Sequence, residues 1–112
     1  MRKFALLLLL LCAAASAPAE AKLRVFACET DWAALTRELA GDLVSVDTAT
    51  TALQDVHVVE AKPSLIAKVR NADLLVCSGA QLEIGWLPQL LMQAGNPRVA
   101  SGPGNFMAAS QV

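Results

Sequence analysis

The chain has 112 residues, a formal net charge of −1 and an apolar content of 55%. This length allows one domain of modest size around a single core. Because basic residues are not in excess, composition excludes a phosphate-seeking surface and a polybasic attraction to anionic lipid, and we expect no nucleic-acid partner.

The first 21 residues are typical of a bacterial secretory signal peptide. Arg2 and Lys3 give a positive start, and residues 4–15 form an unbroken apolar run of 12 residues. The stretch Ala19-Glu20-Ala21 then has the small-x-small pattern at which signal peptidases cut. The run is shorter than the roughly 20 residues that a transmembrane helix needs.

We therefore predict a signal peptide over residues 1–21 and a periplasmic mature chain over residues 22–112, without stable membrane insertion. That mature part has 7 basic and 9 acidic residues. A lipid anchor on Cys12 is the minor alternative, because Leu11 stands where a lipobox requires Gly or Ala.

The beginning of the mature chain alternates strand-like and helix-like segments. Residues 23–28 form a short strand-like run, and Thr30 or Asp31 is placed to cap the helix that follows. Gly41 ends that helix, and residues 43–46 predict a second strand. Three apolar residues of the helix recur at helical spacing: Trp32, Leu35 and Leu39.

The middle of the chain predicts a loop, a helix and a third strand. Residues 47–61 have no clear period, and Pro63 begins a helix that ends near Asn71. This helix has its apolar residues on one side: Leu65, Ile66 and Val69. Residues 74–77 are continuously apolar, as in strands that are covered on both faces.

The last third predicts a helix over residues 86–93, closed by Gly95-Asn96-Pro97, and a fourth strand over residues 98–100. Residues 101–105 are predicted as loop, and the tail to Val112 stays undecided. Strands that alternate with helices imply an α/β fold with a small parallel β-sheet flanked by helices.

Functional loops of such a sheet lie at the carboxyl ends of its strands. Cys28-Glu29, the loop with Asp55 and His57, and Cys77-Ser78-Gly79 all follow predicted strands. His57 is the only histidine of the chain, and its place in a long loop at this edge makes a ligand role about as plausible as a structural one.

Other candidates for chemistry are weaker. No Gly-rich phosphate loop follows a strand, and Ser78 lacks the setting of a catalytic nucleophile. Glu60 and Glu83 are interpreted as surface or capping residues, and Trp32 and Trp86 as core residues.

Cys28 and Cys77 remain after cleavage in a compartment where disulfides persist. Neither belongs to a C-x-x-C pair, which leaves a structural disulfide or two buried thiols as the alternatives. Since the βαβ order can place the two strands side by side, we predict the disulfide, with buried free thiols as the ordinary alternative.

Several segments, in their order, resemble the metal-binding family of periplasmic solute-binding proteins that serve zinc and manganese ABC importers. Residues 54–64, QDVHVVEAKPS, are similar to the family's Asp-Pro-His-x-x-Glu-x-x-Pro-Ser loop. Residues 66–76, IAKVRNADLLV, resemble the helix and strand that follow it, and residues 78–87, SGAQLEIGWL, resemble a Gly-x-x-Leu-Glu-x-Trp-Leu segment. Together the resemblance covers about residues 23–107, and it is greatest to the zinc-uptake members.

The resemblance implies a binding protein rather than an enzyme, which captures Zn²⁺ (Mn²⁺ or Fe²⁺ less readily) and delivers it to an inner-membrane ABC permease. It implies that His57 is a metal ligand. Family members are two-lobed, with the metal between lobes held by several His and a carboxylate, so further ligands are expected beyond Val112. The chain resembles an incomplete N-terminal lobe.

Two departures concern the ligand loop, where Val56 replaces the family's Pro and Val58 stands where relatives often have a second His. With Asp55 and Glu60 as the nearest carboxylates and no second shell expected around the ring, we predict weak zinc binding that depends on His57. The alternatives are a non-functional truncated product and, less favoured, an exported metal-dependent hydrolase.

Overall fold

A computed structural model describes residues 18–111 as a four-stranded sheet with helices on both faces. The strands are β1 (Leu23–Ala27), β2 (Val44–Thr48), β3 (Leu74–Cys77) and β4 (Asn105–Met107). The α-helices are α1 (Thr30–Ala40), α2 (Pro63–Arg70), α3 (Leu87–Ala94) and α4 (Pro97–Ala100), and short 3-10 turns cover Gly41–Leu43 and Ala108–Gln111.

All strand pairs are parallel, in the order β2-β1-β3-β4. The register places Ala27 beside both Thr48 and Val76, so β1, β2 and β3 end together at one edge. This confirms the predicted α/β class with a small parallel sheet, and it confirms that the loops after these three strands share one edge.

Alternation along β1 explains why both faces of the sheet are covered. Successive side chains of a strand point to opposite faces. Phe26 and Cys28 face the main core, which also contains Trp86 and side chains of β3, α2, α3 and α4: Leu75, Cys77, Val69, Leu87, Leu90 and Val99. The neighbours Val25 and Ala27 are equally buried, and α1 packs beside β1 and β2.

The predicted third strand agrees residue by residue with β3, and α2 begins at Pro63 as predicted. The second strand lies one to two residues later than predicted, because Leu43 belongs to a 3-10 turn. The third helix begins at Leu87 rather than Trp86.

Two features of α1 were predicted wrongly. Glu29, not Thr30 or Asp31, occupies the N-cap position, and no side chain caps the helix. The predicted apolar face is also wrong, because Ala33 is the buried residue while Leu35 and Leu39 are exposed, Leu39 at 78%.

The predicted fourth strand over residues 98–100 is wrong, because these residues form α4. Pro97 has the φ angle of a first helical turn, and the Asn96 side chain accepts a hydrogen bond from the Arg98 N–H at 3.2 Å. The strand is β4, which follows Gly104, where a Cβ would overlap the Asp73 carbonyl oxygen. Glycine therefore lets the chain approach β3 closely enough to pair with it, and Asn105 belongs to the strand rather than to the predicted loop.

The predicted apolar segment of the signal peptide, with Cys12, lies outside the described residues. Residues 18–22 precede β1 without regular structure and are exposed. No helix among residues 18–111 has the length and apolar character that crossing a membrane requires.

Candidate metal site

The loop after β2 presents His57 to solvent, with its side chain 64% exposed. The Asp55 carboxylate accepts a hydrogen bond from the His57 backbone N–H at 2.9 Å, which forms a tight Asx turn. The same oxygen lies 2.8 Å from Nδ1 of the ring. Asp55 therefore fixes the ring through Nδ1 and leaves Nε2 as the nitrogen that faces solvent.

This arrangement corrects the expectation that no second shell orients the ring. Metal-bound histidines commonly donate their other ring N–H to a carboxylate, which selects the tautomer and makes the free nitrogen a better ligand. The two hydrogen bonds from His57 also hold the pKa of Asp55 below its usual value, the backbone N–H contributing more than the ring. The carboxylate stays ionised and can accept from the imidazole.

Trp86 holds the backbone of the His57 loop through a hydrogen bond, and Gly85 allows that backbone to approach closely. The Trp86 indole N–H donates to the Val56 carbonyl at 2.7 Å, and Trp86 itself is buried as predicted. A Cβ on Gly85 would lie 3.2 Å from the His57 carbonyl oxygen, tighter than most such contacts. Two segments that are 30 residues apart in the sequence thus meet behind His57.

Glu60, the other predicted neighbour, is not the carboxylate that contacts His57. It lines a cavity of about 340 Å³ between this loop and α2, together with side chains that include Gln54, Lys62 and Ser64. Within residues 18–111, His57 belongs to no group of three convergent His, Cys, Asp or Glu side chains. The described part of the chain therefore offers one oriented imidazole rather than a complete metal cage.

Cys28 and Cys77 form a disulfide across the ends of β1 and β3, with Cα atoms 4.9 Å apart. Both residues are fully buried. The parallel register continues from the Ala27–Val76 pair to this pair, and Cys28 N–H donates to the Val76 carbonyl at 2.9 Å. The disulfide closes the edge of the sheet next to the candidate site.

Two buried glutamates converge on Ser78, just after β3. One oxygen of Glu83 accepts from the Ser78 N–H at 2.8 Å, and the other accepts from the Gly79 N–H at 3.0 Å. Glu29 accepts from the Ser78 hydroxyl at 3.2 Å. Glu83 is only 3% exposed, so the prediction of a surface residue is wrong, whereas a capping role for backbone N–H groups agrees with these contacts.

Burial and the nearby Glu83 favour the protonated form of Glu29. Its Oε1 is buried and has no hydrogen-bond donor from the rest of the protein. Burial, followed by the proximity and negative charge of Glu83, raises the pKa of Glu29 to about 7. Sequence reasoning missed this pair, since only Glu29, close behind the buried end of β1, gives a local signal for it.

Trp32 is half-buried rather than a core residue. Its indole N–H donates to the Ser78 hydroxyl at 2.8 Å, and its ring meets Phe106 edge-to-face at a centroid distance of 6.4 Å. Trp32 therefore orients the Ser78 hydroxyl, which donates a hydrogen bond to Glu29.

Comparison with known proteins decides the family. The model of the family described as ZnuA, zinc-uptake complex component A periplasmic, matches residues 25–109. This chain belongs to the ZnuA family. Its membership confirms the resemblance read from residues 54–64, 66–76 and 78–87, and the family is one of binding proteins of the periplasm.

Solved structures are similar to part of the chain. A crystal structure of ZnuA has a TM-score of 0.61 at 25% identity, and covers 68% of this chain and 29% of its own. A zinc-bound ZnuA deletion mutant has a TM-score of 0.62, with the same identity and coverage. Zinc-bound AdcA from Streptococcus pneumoniae gives 0.55 at 27% identity, covering 67% of this chain and 16% of its own. No curated protein sequence matches.

The match thus spans less than a third of the length of the ZnuA chains and about a sixth of AdcA.

Proposed function

We propose that this chain acts as the zinc-binding component of a periplasmic ABC importer, to which it contributes one lobe and one ligand, Nε2 of His57. The observation that supports the proposal best is the hydrogen bond between Asp55 and Nδ1 of His57, which leaves Nε2 oriented and free. Two of the similar structures are zinc-bound, which favours Zn²⁺ as the cargo.

An imidazole that a carboxylate supports suits Zn²⁺ better than Mn²⁺, whose sites are richer in oxygen ligands. A capture protein must also release its ion. Ligands divided between two lobes serve this purpose, because a movement of the lobes changes the geometry of the site. The single oriented imidazole agrees with such a shared site, and an inner-membrane permease is the proposed recipient of the ion.

A competition titration of the exported protein against a zinc-binding dye tests the ligand. Because even open zinc sites usually have three protein ligands, we expect weak binding with a Kd above about 1 µM. His57→Ala should remove this binding, and Glu60→Gln should leave it unchanged as the matched control. Nanomolar affinity, or affinity that survives His57→Ala, would place the site elsewhere.

Asp55→Asn tests the supporting carboxylate. An amide does not stabilise the Nδ1-protonated tautomer as an ionised carboxylate does, so zinc affinity should fall by roughly 10-fold or more. The measurement is the same titration, with circular dichroism to check the fold. Unchanged affinity would mean that Asp55 only shapes the loop.

We further propose that export removes residues 1–21. N-terminal sequencing of the protein from the periplasm of a Gram-negative host should give Lys22 as the first residue. A lipid-modified species that begins at Cys12 would overturn this boundary.

A further inference from the structure

Three potential ligand atoms meet beneath the carboxyl edge of the sheet, apart from the His57 loop. The sulfur atoms of Cys28 and Cys77 and a carboxylate oxygen of Glu83 all lie within 4.8 Å of one another. All three residues are buried. Among residues 18–111 this is the one group of His, Cys, Asp or Glu side chains that converges in this way.

The backbone builds this convergence. The two cysteines lie at the ends of adjacent parallel strands, which places their Cα atoms 4.9 Å apart. Gly79, Ala80 and Gln81 then have positive φ angles, which turn the chain sharply and bring Glu83 back over the end of β3. The Ser78 and Gly79 N–H groups hold the Glu83 carboxylate there.

Glu29 adds a second buried carboxyl group beside the cluster. It is more than nine-tenths buried, adjacent in sequence to Cys28, and hydrogen bonded to the same Ser78 as Glu83. Its Oε1 has no donor. A buried carboxylate oxygen without a donor is costly unless a proton or a cation satisfies it.

We propose that reduction of the disulfide converts this cluster into a second metal site, in which the thiolates of Cys28 and Cys77 and the carboxylate of Glu83 bind one divalent cation of the Zn²⁺ or Cd²⁺ class. A solvent oxygen supplies the fourth donor, because Glu29 does not belong to the converging group. A dithiol reductant breaks the S–S bond by giving two electrons and two protons, and itself closes to a disulfide. The cation then replaces the two thiol protons, which pass to solvent.

Two thiolates, one carboxylate oxygen and one solvent oxygen make a tetrahedral donor set that Zn²⁺ and Cd²⁺ accept, whereas Mg²⁺ and Ca²⁺ prefer oxygen alone. Zn–S bonds of about 2.3 Å place two thiolates roughly 3.8 Å apart in a tetrahedron. Side chains on neighbouring strands reach that separation by rotation about χ1. The oxidised and the metal-bound forms exclude each other because they use the same sulfur atoms.

The test uses Cd²⁺ as the probe. The exported protein is reduced with a dithiol in denaturant and refolded without oxygen, and Cd²⁺ is added while the ultraviolet sulfur-to-cadmium charge-transfer band is recorded. We expect one Cd²⁺ per chain in the reduced protein and no band in the oxidised protein. His57→Ala should leave the titration unchanged, which separates this site from the proposed importer ligand.

Glu83→Gln should weaken Cd²⁺ binding by about 10-fold or more, while Glu60→Gln, an exposed control, should not. X-ray absorption of the zinc form should give two sulfur and two lighter neighbours, which keeps the proposal testable if Glu83→Gln folds poorly. A missing band in the reduced chain, an affinity no greater than that of the denatured chain, or a zinc shell with a different number of sulfur atoms would each overturn the proposal.

Discussion

Trp86 and Trp32 have similar indole hydrogen bonds but different effects on the site. Trp86 holds the carbonyl of Val56, next to His57, whereas Trp32 holds the Ser78 hydroxyl. Trp86→Phe keeps most of the buried ring and removes only the donor, so it should destabilise the fold by about 1 kcal/mol. It should also lower zinc affinity several-fold, because the loop that aims His57 loses its tether.

Chemical denaturation and the zinc titration measure these two effects. Trp32→Phe is the matched control, with a similar cost in stability and no change in zinc affinity. Equal losses of affinity in both variants would mean that stability alone, and not the position of the loop, sets the binding.

Glu29 should make the oxidised, metal-free protein less stable as the pH rises towards neutrality. Its pKa is raised in the folded state, from an ordinary value of 4.5 to about 7, because burial disfavours the charged form. The folded protein therefore binds more protons than the unfolded chain between these two values. Its free energy of unfolding should fall as the pH rises from about 4.5 to about 7, by on the order of 2 kcal/mol.

Glu29→Gln should flatten this slope and stabilise the protein at pH 8, where the wild-type pair carries two buried negative charges. Urea denaturation of both proteins across this range measures the slope. A free energy of unfolding that rises with pH in this window in the wild type would contradict the assignment.

The sequence predicts a site residue when the signal for that residue lies in its own segment of the chain. His57 stands out as the single imidazole in a loop after a strand, and Asp55 is two residues away. The Glu29–Glu83 pair was missed because its partners are 54 positions apart and meet only through the turn with positive φ angles at Ala80 and Gln81. Trp86 was assigned to the core correctly, but its role in holding Val56 needed three dimensions.

Helices and strands are likewise predictable where their signals are local. The boundaries of β3 and α2 were predictable because an unbroken apolar run and a proline at the first helical position are local signals. β4 was misplaced because its pairing depends on the close approach of Gly104 to Asp73, which no local pattern reports. In α1, the leucines that suggested an apolar face are exposed, and a small residue, Ala33, makes the contact with the sheet.

At the level of strands, the Cys28–Cys77 disulfide ties β1 to β3 and closes a loop with a sequence separation of 49. We predict that the exported protein has no alkylatable thiol from these residues under oxidising conditions. The chain-entropy model gives roughly 4 kcal/mol of stabilisation for a loop of this size, so the double variant Cys28→Ala, Cys77→Ala should unfold at a lower denaturant concentration.

Mass spectrometry after alkylation without reduction shows whether the two cysteines are bonded. Chemical denaturation measures how much the disulfide stabilises the fold. Two alkylated cysteines in the native exported protein would contradict the bonded state and favour the buried thiols.

At the scale of the whole molecule, the carboxyl edge of one parallel sheet carries two separate kinds of chemistry. The exposed His57 loop follows β2, and the buried sulfur and carboxylate cluster follows β1 and β3. Family membership supports a role in zinc uptake for the former, while the match spans only 29% of the ZnuA structures. Within residues 18–111, an oriented imidazole without further converging ligands agrees with the proposed site between lobes.

The chain has one histidine, so its imidazole nitrogens give unambiguous signals in a long-range ¹H–¹⁵N correlation spectrum of the untagged exported protein. We expect zinc to bind Nε2 of His57 while Nδ1 stays hydrogen bonded to Asp55. Added Zn²⁺ should therefore shift the Nε2 resonance and keep the Nδ1 resonance in its protonated form. An imidazole spectrum that saturating zinc leaves unchanged, or one in which Nδ1 takes up the metal, would contradict this role of His57.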